Sequence, residues 1–193
     1  MTKKNETEIL IIGGGAAGLA AAVSASSKKV LIVDDNPKLG GQIWRAELGK
    51  IKSPEALQLV EKIEQNKVSI INNAQVFANK DESTLLAETP NGTIELKFEK
   101  LILATGARER FLPFPHWTLP NVFGAGGLQA LVKSGLSVQN KRIIVAGTGA
   151  LLLAVAEYLK SKGAQVLLIT EQTSSAKLAK FGFSLWRQPK KIA

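Results

Sequence analysis

The 193-residue chain contains no cysteine. A redox disulfide, a thiolate nucleophile, a Cys-bound zinc and a Cys-ligated iron–sulfur cluster are therefore all impossible within it, and any redox chemistry has to be borrowed from a cofactor. Acidic residues are scarce in one region. Positions 133–193 carry two of them against ten Lys/Arg, while positions 1–132 are nearly balanced at 14 against 15, so the net charge of +9 belongs to the last third. Such an excess fits a phosphate-binding surface, an anionic partner, or a domain whose acidic remainder lies elsewhere. Aromatic residues are few, and none interleave with the basic ones as in a DNA- or RNA-binding motif, which argues against nucleic acid as the partner. Glycine and proline stand near ordinary averages, which excludes collagen-like and low-complexity chains. A hydrophobic content of 45% supports one sizeable core, or one domain and part of another.

Long apolar runs are equally rare. The one uncharged stretch that imitates an export or membrane signal is Ile9–Ser27, preceded by Lys3 and Lys4. Glu6 and Glu8 spoil its basic flank, Gly13, Gly14, Gly15 and Gly18 interrupt it, and the remainder is mostly Ala and Ser. It reads instead as a buried strand, a turn and a helix, so no transmembrane segment is expected and the expected location is the cytoplasm.

Periodicity along the chain supports this reading. Glu8–Ile12 is a short apolar run suited to a strand buried on both faces, a helix is predicted from about Ala16 to Ser26, and Val30–Val33 is a second β run. Residues 54–66 place Leu57, Val60 and Ile63 at helical spacing behind Ser53 as N-cap and Pro54 at the first helical position. Val68–Ile71 and Ala74–Ala78 read as strands. Leu85–Thr89 and Thr93–Phe98 read as a hairpin about the Pro90-Asn91-Gly92 turn, and Lys100–Leu103 as a separate buried strand ending at Gly106. Three prolines and three glycines in 111–127 mark an ordered connector. The opening pattern then recurs: strand Arg142–Ala146, a glycine turn, a helix to about Lys162, and strand Gln165–Ile169. This self-similarity points to two nucleotide-binding lobes. The predicted divisions are 1–110 for the first lobe, 111–140 for the connector and a helix, and 141–193 for a partial second lobe.

Two glycine motifs carry the chemistry. Gly13-Gly14-Gly15-Ala16-Ala17-Gly18 is a full Gly-X-Gly-X-X-Gly between strand and helix. Its first glycine allows the tight turn, the second lets backbone approach a pyrophosphate, the third brings helix and strand together, and the helix N-terminus offers free N–H groups. Asp34, followed by Asp35, closes the second strand nineteen residues beyond Gly15, where a carboxylate accepts from a ribose diol. The second copy, Gly147-Thr148-Gly149-Ala150-Leu151-Leu152, has Leu where the third glycine belongs. Glu171 ends the following strand 22 residues after Gly149, where it would repel a 2′-phosphate and favour NAD over NADP. This lobe either holds NAD through Gly147, Gly149 and Glu171 or folds without a nucleotide.

Three further segments complete a family resemblance: Val30–Arg45, which includes Leu39-Gly40-Gly41-Gln42-Ile43-Trp44, then Leu103–Arg110, and Trp117–Gln129. With the glycine motif, they resemble the N-terminal part of the FAD/NAD(P)-dependent pyridine nucleotide-disulfide oxidoreductase superfamily. More narrowly, they are similar to the flavin subunits of the opine/sarcosine oxidase and hydrogen cyanide synthase type. The resemblance implies an α/β, Rossmann-like FAD/NAD(P)-binding fold with a central parallel sheet, a small β-hairpin layer and a partial second lobe. It implies that Gly13, Gly15, Ala16, Ala17 and Gly18 hold the FAD pyrophosphate and that Asp34, with Asp35, meets the adenosine ribose. Gly40, Gly41 and Gln42 would lie along the flavin, Val76 would touch adenine through its backbone, and Ala104, Thr105 and Gly106 would pack against the cofactor.

Departures from the family shape the functional expectation. Members continue to a second FAD segment, and many add a Cys-rich cluster-binding tail, whereas this chain stops 22 residues after Glu171. A fragment, a split gene product or an obligate partner subunit is therefore expected, and exposed apolar strands in the second lobe with it. Without cysteine, disulfide-reductase chemistry is excluded within this chain. The expected function is an FAD-dependent module moving hydride between flavin and NAD(H) or an amine, amino-acid or opine substrate held by a partner. The alternative is a non-catalytic nucleotide-binding or interaction module, and no metal ligand or catalytic side chain is assigned. His116 is expected to be a solvated loop residue. Trp44 either faces the flavin or packs, and Arg108 and Arg110 either contact phosphate or a partner or form a solvated cluster with Glu109.

Overall fold

The computed structural model describes residues 3–44, 53–107, 109, 112–149 and 151–185. Arg45, Arg108, Arg110, Ala150 and the tail from residue 186 lie outside them. The chain divides into two compact units, Met1–Arg108 and Glu109–Ala193.

The first unit is built on one six-stranded sheet in the order β3-β2-β1-β6-β5-β4. Its strands are β1 (Lys3–Ile12), β2 (Val30–Val33), β3 (Ser69–Ile71), β4 (Gln75–Asp81), β5 (Thr84–Thr89) and β6 (Gly92–Leu103). The first four in that order run parallel, and β5 and β4 extend the edge antiparallel. β2 is Val-Leu-Ile-Val and all four residues are buried, as a strand covered on both faces requires. Alternation then sorts the side chains. Ile11, Val30 and Ile32 pack with Leu19 and Ala22 of helix α1 (Ala16–Ser24) and Ile63 of helix α2 (Pro54–Gln65), while Leu10, Leu31 and Val33 pack with Leu85, Ala87, Ile94 and Leu96 from the antiparallel strands. Each fully buried aliphatic side chain contributes about 2 kcal/mol. At the start of α2 the Ser53 hydroxyl accepts from Ala56 N–H at 3.4 Å, and Pro54 occupies the first turn.

Two sequence expectations change here. The first strand begins at Lys3, not Glu8: the polar run Lys3–Thr7 is held by backbone pairing to Ile94–Phe98, with Glu6 bridged to Lys97 at 2.9 Å. The hairpin strand and the buried strand after it form one element, β6. It pairs antiparallel with β5 through residues 92–97 and parallel with β1 through 94–103, so the hairpin joins the central sheet directly.

The second unit contains helix α3 (Ala125–Lys133), strand β7 (Arg142–Gly147), helix α4 (Leu151–Ser161), strand β8 (Gln165–Glu171) and helix α5 (Ser175–Leu185). β7 and β8 form a parallel pair. One face packs Val145 and Val166 on Leu152 and Ala156 of α4. Ile144, at 62% exposure, is open to solvent, as are Leu167, Leu168 and Ile169. Gly126 and Gly127, expected in the connector, form the first turn of α3, and Glu109 accepts from their N–H groups at 3.0 and 3.3 Å. No helix among the described residues is long and apolar enough to cross a membrane.

Candidate dinucleotide site

The candidate site lies at the carboxyl ends of the parallel strands, where open α/β sheets bind their ligands. The loop Gly13–Gly15 leaves β1 and enters α1. Gly13 has φ +106°, and its N–H donates to the Val33 carbonyl at 2.8 Å. A methyl group at Gly13 would strike the Ala104 backbone, and one at Gly18 would overlap the Gly13 carbonyl, so both positions demand glycine. α1 has Gly15 as N-cap, no side chain capping it and no acidic residue in its first turn. Its first helical bond runs from Leu19 N–H to the Gly15 carbonyl, so the N–H groups of Ala16, Ala17 and Gly18 precede the ladder. That is the arrangement an anionic phosphate needs.

Three other segments close around this loop. Asp34, one residue beyond β2 and 4% exposed, accepts from Gly14 N–H through Oδ2, and from Asn36 N–H and Nδ2 at 2.7 and 2.9 Å through Oδ1. The bond to the N–H two residues ahead is an Asx-type turn. The backbone of Asp34 is fixed as well: its N–H donates to Ile71 O at 3.0 Å and its carbonyl accepts from Ala74 N–H at 3.0 Å. Next, Gly40 and Gly41, with φ of +113° and +58°, lay their backbone on the glycine loop. Gly40 N–H donates to Gly14 O at 2.8 Å, and a methyl at Gly41 would stand 2.9 Å from Gly15 Cα. Finally, Ala104 N–H donates to Ile12 O at 2.8 Å, and Ala107 O accepts from Gln42 Nε2 at 3.4 Å.

The structure thus gathers Gly13, Gly15, Ala16, Ala17, Gly18, Asp34, Gly40, Gly41, Gln42 and the segment through Ala104, Thr105 and Gly106. Asp35 is exposed beside Asp34. Val76 is half-buried in the core beneath, two residues past the Ala74 that bonds Asp34. Trp44 packs against the α1–α2 cluster, and His116 is exposed in a turn with φ +68°. Gly14, Asn36 and the buried Leu39, whose side chain stands where a methyl on Gly14 would go, are not singled out by the sequence. Three consecutive glycines and the Asp-Asn-Pro turn signal pointed toward the first two.

Residues 7–180 match the family described as pyridine nucleotide-disulphide oxidoreductase. The chain belongs to this family. FAD is the cofactor of these oxidoreductases, with NAD(P) also common among them, and the α/β fold with its mainly parallel sheet is the Rossmann type. Hydrogen cyanide synthase subunit HcnB of Pseudomonas protegens is 32% identical over 169 residues, covering 81% of this chain and 36% of the relative. An opine oxidase subunit of Rhizobium meliloti is 31% identical over 160 residues, covering 74% and 30%. The chain thus spans about a third of the length of the curated relatives it matches. Among solved structures, L-proline dehydrogenase from P. horikoshii superposes with a TM-score of 0.70 at 21% identity, over 91% of this chain and 38% of that one.

The second unit of this pyridine nucleotide-disulphide oxidoreductase chain repeats the arrangement with different parts. Gly147 and Glu171 are neighbours across the β7–β8 pair. Glu171 accepts from Gly149 N–H at 2.8 Å and from Thr173 N–H at 2.9 Å. A hydrogen bond from the Thr148 side chain, followed by these two backbone bonds, lowers its pKa from 4.5 to about 2. Leu152, in the place of a third glycine, is 6% exposed and packs with Val145 and Ala156.

Proposed function

We propose that the chain forms the first FAD-binding segment and part of a second dinucleotide-type lobe of a flavoprotein oxidoreductase that moves hydride between flavin and NAD(H) or an amine, amino-acid or opine substrate. The observation that carries this reading is the uncapped N-terminus of α1 lying beneath the backbone of Gly40 and Gly41. Glycines there leave main chain, not side chains, at the surface a dinucleotide would occupy. In this reading Gly13 and Gly18 shape the turn, and Gly15, Ala16 and Ala17 direct N–H groups at the pyrophosphate. Asp34 and Asp35 serve the ribose, Gly40, Gly41 and Gln42 line the flavin side, Val76 supports adenine, and Ala104, Thr105 and Gly106 close the crevice. Bound FAD would supply the hydride chemistry itself, since no side chain of this segment is required as acid or base.

The functional division is 1–110 for the first FAD segment, 111–140 for a connector with α3, and 141–193 for the partial second lobe. HcnB and the opine oxidase relative are subunits by name, which supports a partner subunit that supplies the substrate pocket. We place the working enzyme in the cytoplasm. For the second lobe, Glu171 favours NAD over NADP. Leu152, together with the engagement of Gly149 N–H by Glu171, favours the other reading, in which this lobe folds without a nucleotide. The test is the visible spectrum of the purified chain after incubation with FAD and removal of free cofactor. A retained flavin band that Gly15→Glu abolishes supports the reading, since an added side chain there meets only Gly41 Cα at 3.7 Å, and a colourless wild-type protein overturns it for this chain.

A further inference from the structure

Asn36 sits at the centre of the Asp34–Asp35 corner. Its side-chain Nδ2 donates to Asp34 Oδ1 at 2.9 Å and to Asp35 Oδ1 at 2.7 Å. Its own N–H donates to the same Asp34 oxygen at 2.7 Å, and its carbonyl accepts from Asn73 N–H at 3.2 Å. One amide therefore draws two adjacent carboxylates together, offsets part of their mutual repulsion, and is itself anchored to the segment that leads into β4. Asp34 is buried and its other oxygen bonds the glycine loop, whereas Asp35 is exposed. The two acids thus form an edge with one member fixed to the phosphate-binding loop and the other at the surface.

We propose that Asn36 is a positioning residue for the cofactor's adenosine ribose: it holds Asp34 and Asp35 as a pair that accepts the vicinal 2′- and 3′-hydroxyls. This rests on the flavin reading above and goes beyond it. The ribose contact, already assigned to Asp34 and Asp35, becomes dependent on the amide that bridges them. A carboxylate accepts at several lone-pair positions, so the Asn36 bonds and the diol bonds are compatible. The backbone N–H of residue 36 survives any non-proline substitution and keeps the turn, so Asn36→Ala removes the side-chain bridge and leaves the backbone bond to Asp34.

The test is the affinity of the full chain for FAD and for its 2′-deoxyadenosine analogue, read from flavin fluorescence and compared between wild type and Asn36→Ala. A hydrogen bond to a charged group predicts that the wild type binds the deoxy analogue about tenfold more weakly than FAD. In Asn36→Ala, FAD itself should weaken about tenfold and the two ligands should become equal within about twofold. A merely structural residue would weaken both ligands by one factor and leave their ratio at the wild-type value. That result, or a wild-type ratio near one, overturns the proposal while the flavin reading stands. A wild type that retains no FAD overturns both. Should Asn36→Ala fail to fold, Asn36→Ser reads the same ratio, because a hydroxyl cannot donate to both carboxylates at once.

Discussion

Each unit has, at the end of its second strand, a carboxylate that bonds a glycine N–H in the first strand's loop and an N–H two residues ahead on its own chain. In the first unit Asp34 reaches Gly14 and Asn36; in the second, Glu171 reaches Gly149 and Thr173. Both closures tie a glycine loop to the neighbouring strand. They differ in depth and in what fills the space behind the loop. Asp34 is buried and Glu171 is half-exposed. Behind the first loop, Gly18 lets the helix backbone come against the Gly13 carbonyl; behind the second, the side chain of Leu152 occupies the corresponding place, 3.3 Å from where a Gly147 methyl would stand. The comparison teaches that glycines in one motif have different duties. Some are needed for the chain to fold, and others only for a ligand to approach.

Exchanging the residues behind the loops should break the comparison most severely. Gly18→Leu forces a side chain into the Gly13 backbone, which cannot move without displacing β1, so a loss of about 4 kcal/mol or more and failure to retain flavin are expected. The reciprocal Leu152→Gly empties a buried apolar site and places glycine in a helix, at about 3–4 kcal/mol. It should not create nucleotide binding, because Glu171 still holds Gly149 N–H. Thermal melts with added FAD or NADH check both, and an NADH-dependent rise in Tm for Leu152→Gly would show that the leucine alone keeps the second loop closed.

The two acids sharpen the contrast at a smaller scale. Asp34→Asn keeps one acceptor but replaces a buried oxygen facing Gly14 N–H, and about 2 kcal/mol of stability should go with it. Glu171 is depressed from 4.5 to about 2, so its bonds contribute stability that is complete above about pH 4.5 and is lost as the pH falls toward 2. Glu171→Gln should therefore flatten the Tm profile between pH 5 and 2 and cost less at neutral pH than Asp34→Asn. A profile identical to wild type would show that the Glu171 bonds do not hold the second loop in solution.

Much of this was legible in the sequence wherever local chemistry decides structure. Ser53-Pro54 and the spacing of Leu57, Val60 and Ile63 place α2 almost to the residue. Both strand–loop–helix units follow from apolar runs broken by glycine. What escaped was set by pairing across the sheet. Lys3–Thr7 has no apolar pattern and is a strand because Ile94–Phe98 lies beside it. Gly92–Leu103 looks like two strands because its polar positions interrupt one long run. At the site, the residue types at Gly15, Asp34 and Gly40 were readable. The bond of Gly14 to Asp34 and the packing of buried Leu39 against Gly14 were not, since they depend on distances between loops remote in sequence.

The smallest expected effect on stability separates the two duties of glycine most cleanly. At Gly15 the backbone has φ −78°, ordinary for any residue, and an added methyl would meet only Gly41 Cα at 3.7 Å. Gly15→Ala should thus leave the Tm of the cofactor-free chain unchanged, within about 0.5 kcal/mol of stability. The same methyl stands where the main chain would approach the pyrophosphate, so FAD affinity should fall more than about tenfold. Gly149 is the inverse case. Its φ is +95° and nothing lies within 4 Å of an added methyl, so Gly149→Ala should cost about 1 kcal/mol through backbone strain. If Gly15→Ala instead destabilises the cofactor-free chain as much as Gly149→Ala does, the second glycine of the first loop belongs to the fold, and flavin loss in its variants says nothing about where the pyrophosphate sits.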